Sequence, residues 1–565
     1  MTNADIADRL MSLAQLLSTQ KENPFKIKAY RRAAKSVAAI GESLEDEVRS
    51  DADITGYPAI GEGIAGVIRE IVLNGTSRKL ESLRSQVKPE VAALSEYPRL
   101  DPARVLRAYK KLKISSVQEL KEKLASGDAL EKLGARLEAH LRHGLAASQE
   151  VLLYDADKIA PSIEEFLLSR CGASRVEATG AYRRRVETIH ELSFLVVSDD
   201  FEALLQKVGR LGGGTELIEK GKDHGLFQLS SGVPLRIVQS RRECWGVDLI
   251  QATGSDAHLH RLHLKAAHLT AAFEDEDSVY RALGLAYVEP ELREGLDEVA
   301  LARSGSMPQL IGARDIRGEL HAHSTSSDGV HSIEQMARAA AAKGYEYAGI
   351  SDHSQSLKIA RGLSEDDLWK QIRYIDALNA KGAAVKILKS AEVDILEDGA
   401  LDYPDDLLHE LDYTVCSIHS RFARGKAEQT ERILRAMDNR YFTILGHATG
   451  RLLLKRPGYE IDIERVIEHA RQRGCFFEIN SSPDRLDLSA SNARMARAAG
   501  VKLAITTDAH STRDYELLRC GIDQARRAGL TKSDVLNSMR LRELETAFRK
   551  CRERAGGSAY ATIEN

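Results

Sequence analysis

The chain has 565 residues, of which 43% are hydrophobic and 29% are charged, and its formal net charge of −4 neither favours nor excludes nucleic acid as a partner. No apolar run approaches the roughly 20 residues of a membrane-spanning helix, and the acidic, amphipathic first residues are not those of a signal peptide, so we expect no membrane partner. The six scattered cysteines contain no Cys-x-x-Cys pair, which indicates a reducing, cytoplasmic location and excludes a disulfide framework.

A chain of this length can form three or four domains, and residues 1–145 predict a helical first domain because apolar residues recur at helical spacing. Within it, YPAIGEGIAGVI (57–68) places Gly61 and Gly63 at a turn between two helical stretches. The pattern resembles a DNA-binding helix-hairpin-helix, in which glycines permit a tight turn and the N–H groups at the next helix start hold a DNA phosphate. The alternative is an ordinary glycine-containing turn. A second hairpin, expected near YPRLDPARVLRAY (97–109), lacks the glycines.

The middle of the chain changes to an α/β pattern. In residues 146–245, LSFLVV (192–197) and PLRIV (234–238) are predicted strands. Residues 246–312 are mixed and end in a segment typical of a linker. Two basic clusters can contact DNA phosphates or can simply form solvated faces. They are FKIKAYRRAAK (25–35) and the triplet Arg183, Arg184 and Arg185.

Residues 313–565 are the predicted last domain. From Arg317 to Arg526 strands and helices alternate regularly, which implies a parallel sheet with βαβ connections. Nearly every β-rich run ends in His, Asp, Glu or Asn, a pattern typical of a closed barrel whose chemistry lies at the C-terminal ends of its strands. The seven runs are RGELHAH (317–323), YEYAGISDH (345–353), VKILKSAEVDI (385–395), LDYTVCSIH (411–419), FTILGHA (442–448), CFFEINSS (475–482) and KLAITTDAH (502–510).

Nine side chains at or just after these strand ends predict a metal centre. His321 and His323 point to one face of their strand because side chains alternate along it, and the same holds for Asp508 and His510. Imidazoles mixed with carboxylates suit Mn, Zn or Fe. Nine ligands suffice for two or three divalent ions that share a carboxylate, and two-metal sites are usual in phosphate-ester hydrolysis. The nine are His321, His323, Asp328, His353, Glu392, His419, His447, Asp508 and His510.

The motifs around these residues resemble those of the PHP (polymerase and histidinol phosphatase) family from about residue 315 to residue 537. In order they are HAHSTSSDG, SDHS, EVDIL, SIHS, GHATGRLL, EINSSPDRLDL and TDAHS, with Ala448 as a departure where relatives often have proline. The resemblance implies a distorted seven-stranded (β/α) barrel that binds three ions. The first would be held by His321, His323, Glu392 and Asp508, the second by His419, His447 and a bridging Glu392, and the third by Asp328, His353 and His510.

The whole chain resembles the bacterial family X DNA polymerases, so that we expect a multidomain α and α/β protein. The resemblance implies a polymerase-beta-like palm at 146–245 and a thumb-like region with a linker at 246–312. GAYRRRVETIHELSFLVV (180–197) resembles the nucleotidyltransferase signature. Because phosphoryl transfer needs Mg²⁺ held by closely placed carboxylates, we expect polymerisation to be absent or very weak. The departures are Ala181 for the signature serine and, at the three aspartate positions, Glu191, Ser193 and Pro234.

These resemblances imply a metal-dependent hydrolase of DNA phosphodiesters, acting as a 3′→5′ exonuclease or in 3′-end processing during DNA repair. Glu392 would bridge two ions, and Arg421 and Arg451 would steady the substrate phosphate unless they form structural ion pairs. We expect contacts with the DNA backbone and no strong sequence specificity. Three alternatives remain open: a family X polymerase with residual synthesis, a small-molecule phosphatase of the histidinol phosphatase type, and a non-catalytic DNA-binding scaffold.

Overall fold

The computed structural model divides the chain into two compact units, Met1–Val299 and Ala300–Asn565. It describes residues 1–557 except 21, 88, 95–99, 101, 115, 127–132, 134–136, 138–140, 142–149, 230–231 and 264–271. Among these residues, no helix combines the length and the apolar character that crossing a membrane requires. The predicted domain borders near 145, 245 and 312 stay predictions, and the first of them falls outside the described residues.

The N-terminal region is helical, as predicted. Its helices are α1 (Asn3–Thr19), α2 (Pro24–Ala39), α3 (Leu44–Arg49), α4 (Glu62–Asn74), α5 (Arg78–Ser85), α6 (Pro89–Leu94), α7 (Pro102–Leu112) and α8 (Val117–Ala125). Thr2 and Asp5 form a capping box before α1, and Asn23 caps α2. Pro24 is tolerated in the first turn of α2 because N–H groups there have no intrahelical partner, so the N–H that proline lacks is not needed. The buried apolar faces of α1 to α6 form one core. The expected second hairpin at 97–109 lies partly outside the described residues.

A five-stranded mixed sheet forms the centre of residues 150–299. Its strands are β2 (Arg175–Ala178), β4 (Leu192–Val197), β5 (Glu216–Lys220), β6 (His224–Gln228) and β7 (Pro234–Gln239), and a separate pair consists of β1 (Val151–Leu152) and β3 (Thr188–Ile189). The order is β2-β4-β7-β6-β5. The two strands predicted from sequence, β4 and β7, are parallel neighbours with apolar side chains in the core. The helices are α9 (Leu153–Ser169), α10 (Gly180–Arg183), α11 (Phe201–Val208), α12 (Trp245–Thr253), α13 (Asp256–Leu262), α14 (Glu276–Ala282) and α15 (Glu298–Ser304).

The second unit alternates strands and helices, as predicted. The strands are β8 (Gly318–Glu319), β9 (Tyr347–Ile350), β10 (Lys386–Lys389), β11 (Glu392–Asp394), β12 (Val415–Ser417), β13 (Ile444–Leu445), β14 (Phe476–Asn480) and β15 (Leu503–Thr506). The helices are α16 (Ile333–Ala342), α17 (Glu365–Ala380), α18 (Asp405–His409), α19 (Lys426–Met437), α20 (Ile463–Arg473), α21 (Ala490–Ala498), α22 (Leu518–Arg527) and α23 (Leu541–Gly557). Every strand pair is parallel, in the sheets β10-β9-β8 and β11-β12-β13-β14-β15. The C-terminal ends of the strands in each sheet therefore share one edge.

One predicted run passes from the first of these sheets to the second. In residues 385–395, β10 pairs with β9, whereas β11, three residues further on, pairs with β12. The seven β-rich runs therefore give eight strands. The change of partner carries Glu392, the first residue of β11, to the junction of the two sheets, where it also forms an isolated bridge with His353.

Two buried side chains join the first and last strands of this unit. The Glu319 carboxylate of β8 accepts hydrogen bonds from the N–H (3.1 Å) and the hydroxyl (2.8 Å) of Thr507. The Asn537 amide donates to the carbonyls of Gly318 and Ile505 (2.9 and 2.7 Å), and its oxygen accepts from the N–H of Ile505 (3.0 Å). An isolated bridge between Ala322 and Ala509 follows. The distorted barrel expected from the sequence thus consists of two sheets joined by side chains and single bridges.

We expect Asn537→Leu to lower the free energy of unfolding by about 3–5 kcal/mol, because each buried polar group left without a partner costs about 1–3 kcal/mol. Asn537 is fully buried, and its loss would leave two carbonyls and one N–H unpaired. Urea unfolding followed by tryptophan fluorescence measures the change. The control is Asn492→Leu, since Asn492 is half-exposed at the start of α21 and its N–H, not its side chain, is bonded to Ser489. Equal stability of the two variants would show that Asn537 does not hold the strands together.

Candidate metal centre

The second unit brings all nine predicted ligands to the C-terminal ends of its strands. The residues form three groups, and within each group the possible ligand atoms lie within 4.8 Å of one another. The groups are His323, Asp328, His353 and His510; His321, His323 and Asp508; and His353, Glu392 and His419. The ninth residue, His447, lies beside the third group, with Nε2 2.8 Å from Oε1 of Glu392.

His321, His323 and Asp508 form one group, and Glu392 lies next to it. Nε2 of His323 and Nε2 of His321 lie 3.0 and 3.6 Å from its Oδ1, and they lie 3.7 and 3.6 Å from Oε2 of Glu392. Ligand atoms bound at about 2.0–2.2 Å to one ion stand roughly 3–3.6 Å apart. The spacing therefore suits a single divalent ion among these four side chains.

The two oxygens of Glu392 face different groups. Oε2 faces His321 and His323, whereas Oε1 lies 3.4 Å from Nε2 of His419 and 2.8 Å from Nε2 of His447. A carboxylate placed in this way can be shared by two ions, one at each oxygen. The geometry is the one that a bridging Glu392 requires, and the bridge itself stays a prediction.

His353 lies between this carboxylate and the remaining group. Its Nε2 lies 3.5 Å from Oδ1 of Asp328, which is also 3.3 Å from Nε2 of His510. Its Nδ1 lies 2.7 Å from Oε2 of Glu392. The family resemblance assigned His353 to the third ion alone, but its two nitrogens point toward two groups. Either assignment keeps the same nine residues.

Several buried atoms of this cluster have no hydrogen-bond partner. A buried polar atom without a partner is rare in folded proteins because it loses the bonds that water supplied. Bound ions would satisfy Nε2 of His321 and Oε2 of Glu392, which face each other at 3.6 Å, so the residues present fit a multinuclear metal centre. The atoms are Nε2 of His321, Nδ1 of His323, Nδ1 of His353, Oε2 of Glu392 and Nδ1 of His447.

The charges of the cluster are strongly coupled. Burial would raise the pKa of Glu392, but His419, His353 and His321 hold it well below its ordinary value. Burial would lower the pKa of His419, but Glu392 and Asp394 raise it to about 10. His323 has a pKa of about 4, because burial and the neighbouring imidazole of His353 disfavour its charged form. Carboxylates and protonated imidazoles thus balance each other, and divalent ions could replace those protons.

A second layer of carboxylates orients the imidazoles. Glu478 on β14 accepts from Nδ1 of His321 at 2.6 Å, and Asp394 on β11 lies 2.5 Å from Nδ1 of His419. Such contacts fix the ring and leave the other nitrogen free to bind a metal. Neither residue was predicted from the sequence. Asp394 could have been found, because it follows Glu392 by two positions on the same strand and so shares its face.

Two candidate ligands have left-handed backbone conformations that non-glycine residues rarely adopt. The φ angles are 26° at His447 and 50° at Asp508. Such conformations cost about 1–3 kcal/mol and cluster at functional sites. The N–H of His447 is held by Oε2 of Glu478 at 2.6 Å, so the second layer also fixes the strained backbone.

The two arginines predicted to steady a phosphate have other contacts. Arg421 pairs with Glu397 and is mostly exposed. Arg451 donates from Nε to the carbonyl of Arg485 (3.0 Å) and also donates to that of Leu486. Arg485 itself lies closer to the ligands, with Nε 3.6 Å from Oδ2 of Asp508. Arg485 was not predicted from the sequence, and the roles of Arg421 and Arg451 stay predictions.

The predicted hairpin glycines have ordinary backbone conformations. Gly61 caps α4 with a φ of −86°, and Gly63 lies in its first turn. The left-handed residue of this loop is Ala59, with a φ of 62°. The turn predicted here therefore does not depend on a positive φ at either glycine. A Cβ added at Gly61 or Gly63 would meet no atom within 4 Å, so the space above these N–H groups is open to a ligand.

The arginines predicted to contact DNA in the palm-like region form internal ion pairs. Nη1 and Nη2 of Arg183 bind the buried carboxylate of Glu276 at 2.7 and 2.9 Å. Arg184 binds Glu294 at 3.1 Å and the carbonyl of Thr253 at 2.7 Å. These ion pairs give both arginines a structural role. A contact of Arg183 or Arg184 with DNA stays a prediction.

The positions expected for polymerase aspartates contain a different arrangement. Oε1 of Glu191 accepts from Nε of Arg236 at 2.9 Å, and Arg236 lies opposite Ser193 in the register of β4 and β7. Pro234 is the first residue of β7. The one acidic side chain of the three positions is thus already neutralised by an arginine.

Two family models match parts of the chain. The model of a helix-hairpin-helix domain matches residues 1–77, and the model of the PHP domain matches residues 319–482. A protein from Thermoanaerobacter sp. (strain X514) named "Probable phosphatase" is 32% identical over 231 residues, which cover 39% of this chain and 89% of that protein. A protein of the same description from Syntrophotalea carbinolica is 27% identical over 241 residues, covering 41% of this chain and 93% of its own.

A third relative matches along nearly the whole chain. It is the protein of Bacillus subtilis (strain 168) named "DNA polymerase/3'-5' exonuclease PolX". The two are 33% identical over 576 aligned residues, which cover 97% of this chain and 100% of the relative. Together with the helix-hairpin-helix and PHP matches, this similarity identifies the chain as a member of the bacterial family X DNA polymerases with a C-terminal PHP domain.

Proposed function

We propose that the chain is a metal-dependent hydrolase of DNA phosphodiesters that removes nucleotides or blocking groups from 3′ ends during DNA repair. The observation that carries this proposal is the position of Glu392, whose two oxygens face separate groups of histidines. The name of the relative from Bacillus subtilis, which includes a 3′→5′ exonuclease, supports DNA as the substrate. Because all six cysteines are free thiols, we also propose a reducing, cytoplasmic location.

The nine ligands would hold two or three divalent ions, with Mn or Zn as the first choice and Fe as the next. Bound ions of this kind neutralise charge on phosphate oxygens and make water a nucleophile at neutral pH. The chain's own part is to hold them in place. Glu478 and Asp394 keep His321 and His419 in one ring orientation, and the carboxylate of Glu392 keeps the groups at a fixed spacing.

The arginines near this centre would position the substrate. Arg485 lies beside Asp508 on the segment that follows β14, and Arg451 holds the main chain of that segment through the carbonyls of residues 485 and 486. Arg421, exposed on the loop after β12, would meet a more distant phosphate. We therefore assign Arg451 a supporting role and keep the direct phosphate contact for Arg485 and Arg421.

DNA would be held by the helix-hairpin-helix in the first unit. The N–H groups of the first turn of a helix lack intrahelical partners and attract anions. At the start of α4 the glycines leave these groups uncovered, since no protein atom lies where a side chain would extend. The exposed residues Lys28, Arg31 and Arg32 on α2 add positive charge. Such contacts bind the backbone without reading sequence.

We expect Gly61→Val with Gly63→Val to weaken DNA binding about tenfold and to lower its salt dependence, because each lost phosphate contact reduces the slope by about 0.9 for duplex DNA. A binding titration of the full chain at several salt concentrations measures both effects. A Cβ at either position meets no protein atom within 4 Å, so we expect the fold to be unchanged.

The matched control is Gly66→Val, on the same helix one turn further from its start. This glycine is also exposed, and a Cβ there also meets nothing within 4 Å. Binding and salt slope of the control should equal those of the unsubstituted chain. Equal DNA affinity in the double variant and the control would show that this hairpin is not a DNA clamp.

Two other functions each have an observation in their favour. Relatives described as probable phosphatases match 39% and 41% of the chain, which favours a small-molecule phosphatase of the histidinol phosphatase type. The name of the relative from Bacillus subtilis includes a DNA polymerase, which favours residual synthesis. The purified chain with Mn²⁺ should be tested on end-labelled DNA, on histidinol phosphate, and on primed template with nucleotides. Cleavage of DNA alone is the result we expect.

A further inference from the structure

The loop 355–362 leaves the candidate metal centre and returns to it. It begins two residues after His353, and at its end the N–H of Leu363 donates to the carbonyl of His353 at 2.8 Å. Ser354 and Leu363 also form an isolated bridge. A Cβ on Gly362 would lie 1.8 Å from the carbonyl oxygen of Ser354, so the base of the loop is closed too tightly for any side chain at that position.

Hydrogen bonds make this loop rigid. The N–H and the hydroxyl of Ser356 both bind the buried carboxylate of Asp402, at 2.7 and 2.6 Å. The side-chain amide of Gln355 donates to the carbonyl of Asp402 at 3.1 Å. The tip, Lys358–Ala360, forms a single turn of 3-10 helix. The loop therefore presents its tip in one conformation.

The tip carries an apolar side chain between two cations. Ile359 is 94% exposed, more than any other large apolar side chain that the structure describes. Lys358 and Arg361 are exposed on either side, and neither forms an ion pair with a described residue. Arg361 has a left-handed backbone, with a φ of 58°. A single exposed apolar residue is ordinary, but a rigid one flanked by unpaired cations beside a catalytic centre is typical of a binding element.

We propose that the loop 355–362 is a DNA contact of the second unit, in which Ile359 packs against the terminal base at a 3′ end while Lys358 and Arg361 bind the adjacent phosphates. The inference rests on the proposed function, since it takes DNA as the substrate. Apolar side chains that insert between bases unstack them at a cost that backbone contacts offset. The four residues from the start of the loop to Ile359 can extend by at most about 14 Å. Ile359 therefore lies no further from the start of the loop than about four base-pair rises of DNA.

The loop thus favours 3′ ends that are unpaired or easily opened. A duplex end with a 3′-terminal 2-aminopurine tests this directly, because the fluorescence of this base rises when it loses its stacking partner. The terminal linkage is a phosphorothioate, which slows cleavage, and the full chain is used with Mn²⁺. We expect the unsubstituted chain to raise the fluorescence and Ile359→Ser to lose at least half of the rise. Leu168→Ser, which changes an exposed leucine on α9 in the other unit, should behave as the unsubstituted chain.

A second measurement tests the cations. Lys358→Gln with Arg361→Asn removes both charges, and asparagine tolerates the left-handed backbone at 361. Losing two phosphate contacts should lower the slope of log affinity against log salt by about 1.4–1.8. Hydrolysis of a nitrophenyl phosphodiester, which has no bases and a single phosphate, should be unchanged in this variant and in Ile359→Ser.

The outcomes separate this inference from the proposed function. If the unsubstituted chain does not cleave DNA, the proposed function is at fault. If it cleaves DNA while both loop variants keep its fluorescence change and its salt slope, the loop is not a DNA contact and the inference is overturned. A loss of nitrophenyl ester hydrolysis in the loop variants would also overturn it, because the loop would then support the metal centre and not the DNA.

Discussion

Glu392→Ala should abolish hydrolysis of DNA and of nitrophenyl phosphodiesters alike, with a loss of about a thousandfold or more. This side chain is 1% exposed, and its two oxygens face separate groups of histidines. Removing it takes away a negative charge that two ions would share. Glu392→Gln keeps the shape but not the charge, so it should lose nearly as much activity. Steady-state kinetics and metal analysis of each purified variant measure the effect.

A matched control is Glu428→Gln, at an exposed position in the first turn of α19. It should keep the activity and the metal content of the unsubstituted chain. Near-normal hydrolysis by Glu392→Ala, with its metals in place, would contradict the assignment of Glu392 as a shared ligand. A variant that loses one ion but keeps its activity would show that the remaining metal-binding groups suffice for hydrolysis.

The second large effect that we expect is the absence of template-directed synthesis, whichever divalent metal is supplied. Phosphoryl transfer requires ions held by closely placed carboxylates, and the three positions hold Glu191, Ser193 and Pro234. Glu191 is bound to Arg236, so its negative charge is already paired with an arginine. Primer extension on gapped DNA with Mg²⁺ or Mn²⁺ measures the activity. The Glu392→Ala background keeps the primer from being degraded during the assay.

The relative from Bacillus subtilis, by its name a DNA polymerase, serves as the positive control. Our chain should give no more extension than a reaction without enzyme, and Glu191→Ala should not change that result. Strong extension by the chain in the Glu392→Ala background would contradict this prediction. Loss of that extension in Glu191→Ala would further show that one glutamate with unrecognised partners can hold the ions.

Much of the second unit could be predicted because its pattern is local. Strands and helices alternate along the chain, and each candidate ligand follows a β-rich run, so the topology of a parallel sheet brings the ligands to one edge. The break between β10 and β11 could not be predicted in this way. Both parts of that run are apolar and β-rich, and only the pairing with different neighbours separates them. Pairing over long sequence distances leaves little signal in a single sequence.

The parts of the site that were missed depend on partners far apart in the chain. Glu478 orients His321, which lies 157 positions away in the sequence, and Arg485 lies beside Asp508. Neither role shows in the spacing of nearby residues. The backbone conformations of Gly61 and Gly63 could not be predicted for a different reason. A glycine can be present because a side chain would obstruct a ligand and not because the backbone needs a positive φ, and a sequence does not distinguish the two.

The measurement that tests our central claim most directly is the fate of a DNA strand labelled at its 5′ end, incubated with the full chain and Mn²⁺. Hydrolysis from the 3′ end predicts a ladder of labelled products that shorten one nucleotide at a time, with mononucleotides released. Glu392→Ala should leave the strand intact. An uncut strand in the presence of rapid hydrolysis of histidinol phosphate would contradict the claim and identify a small-molecule phosphatase instead.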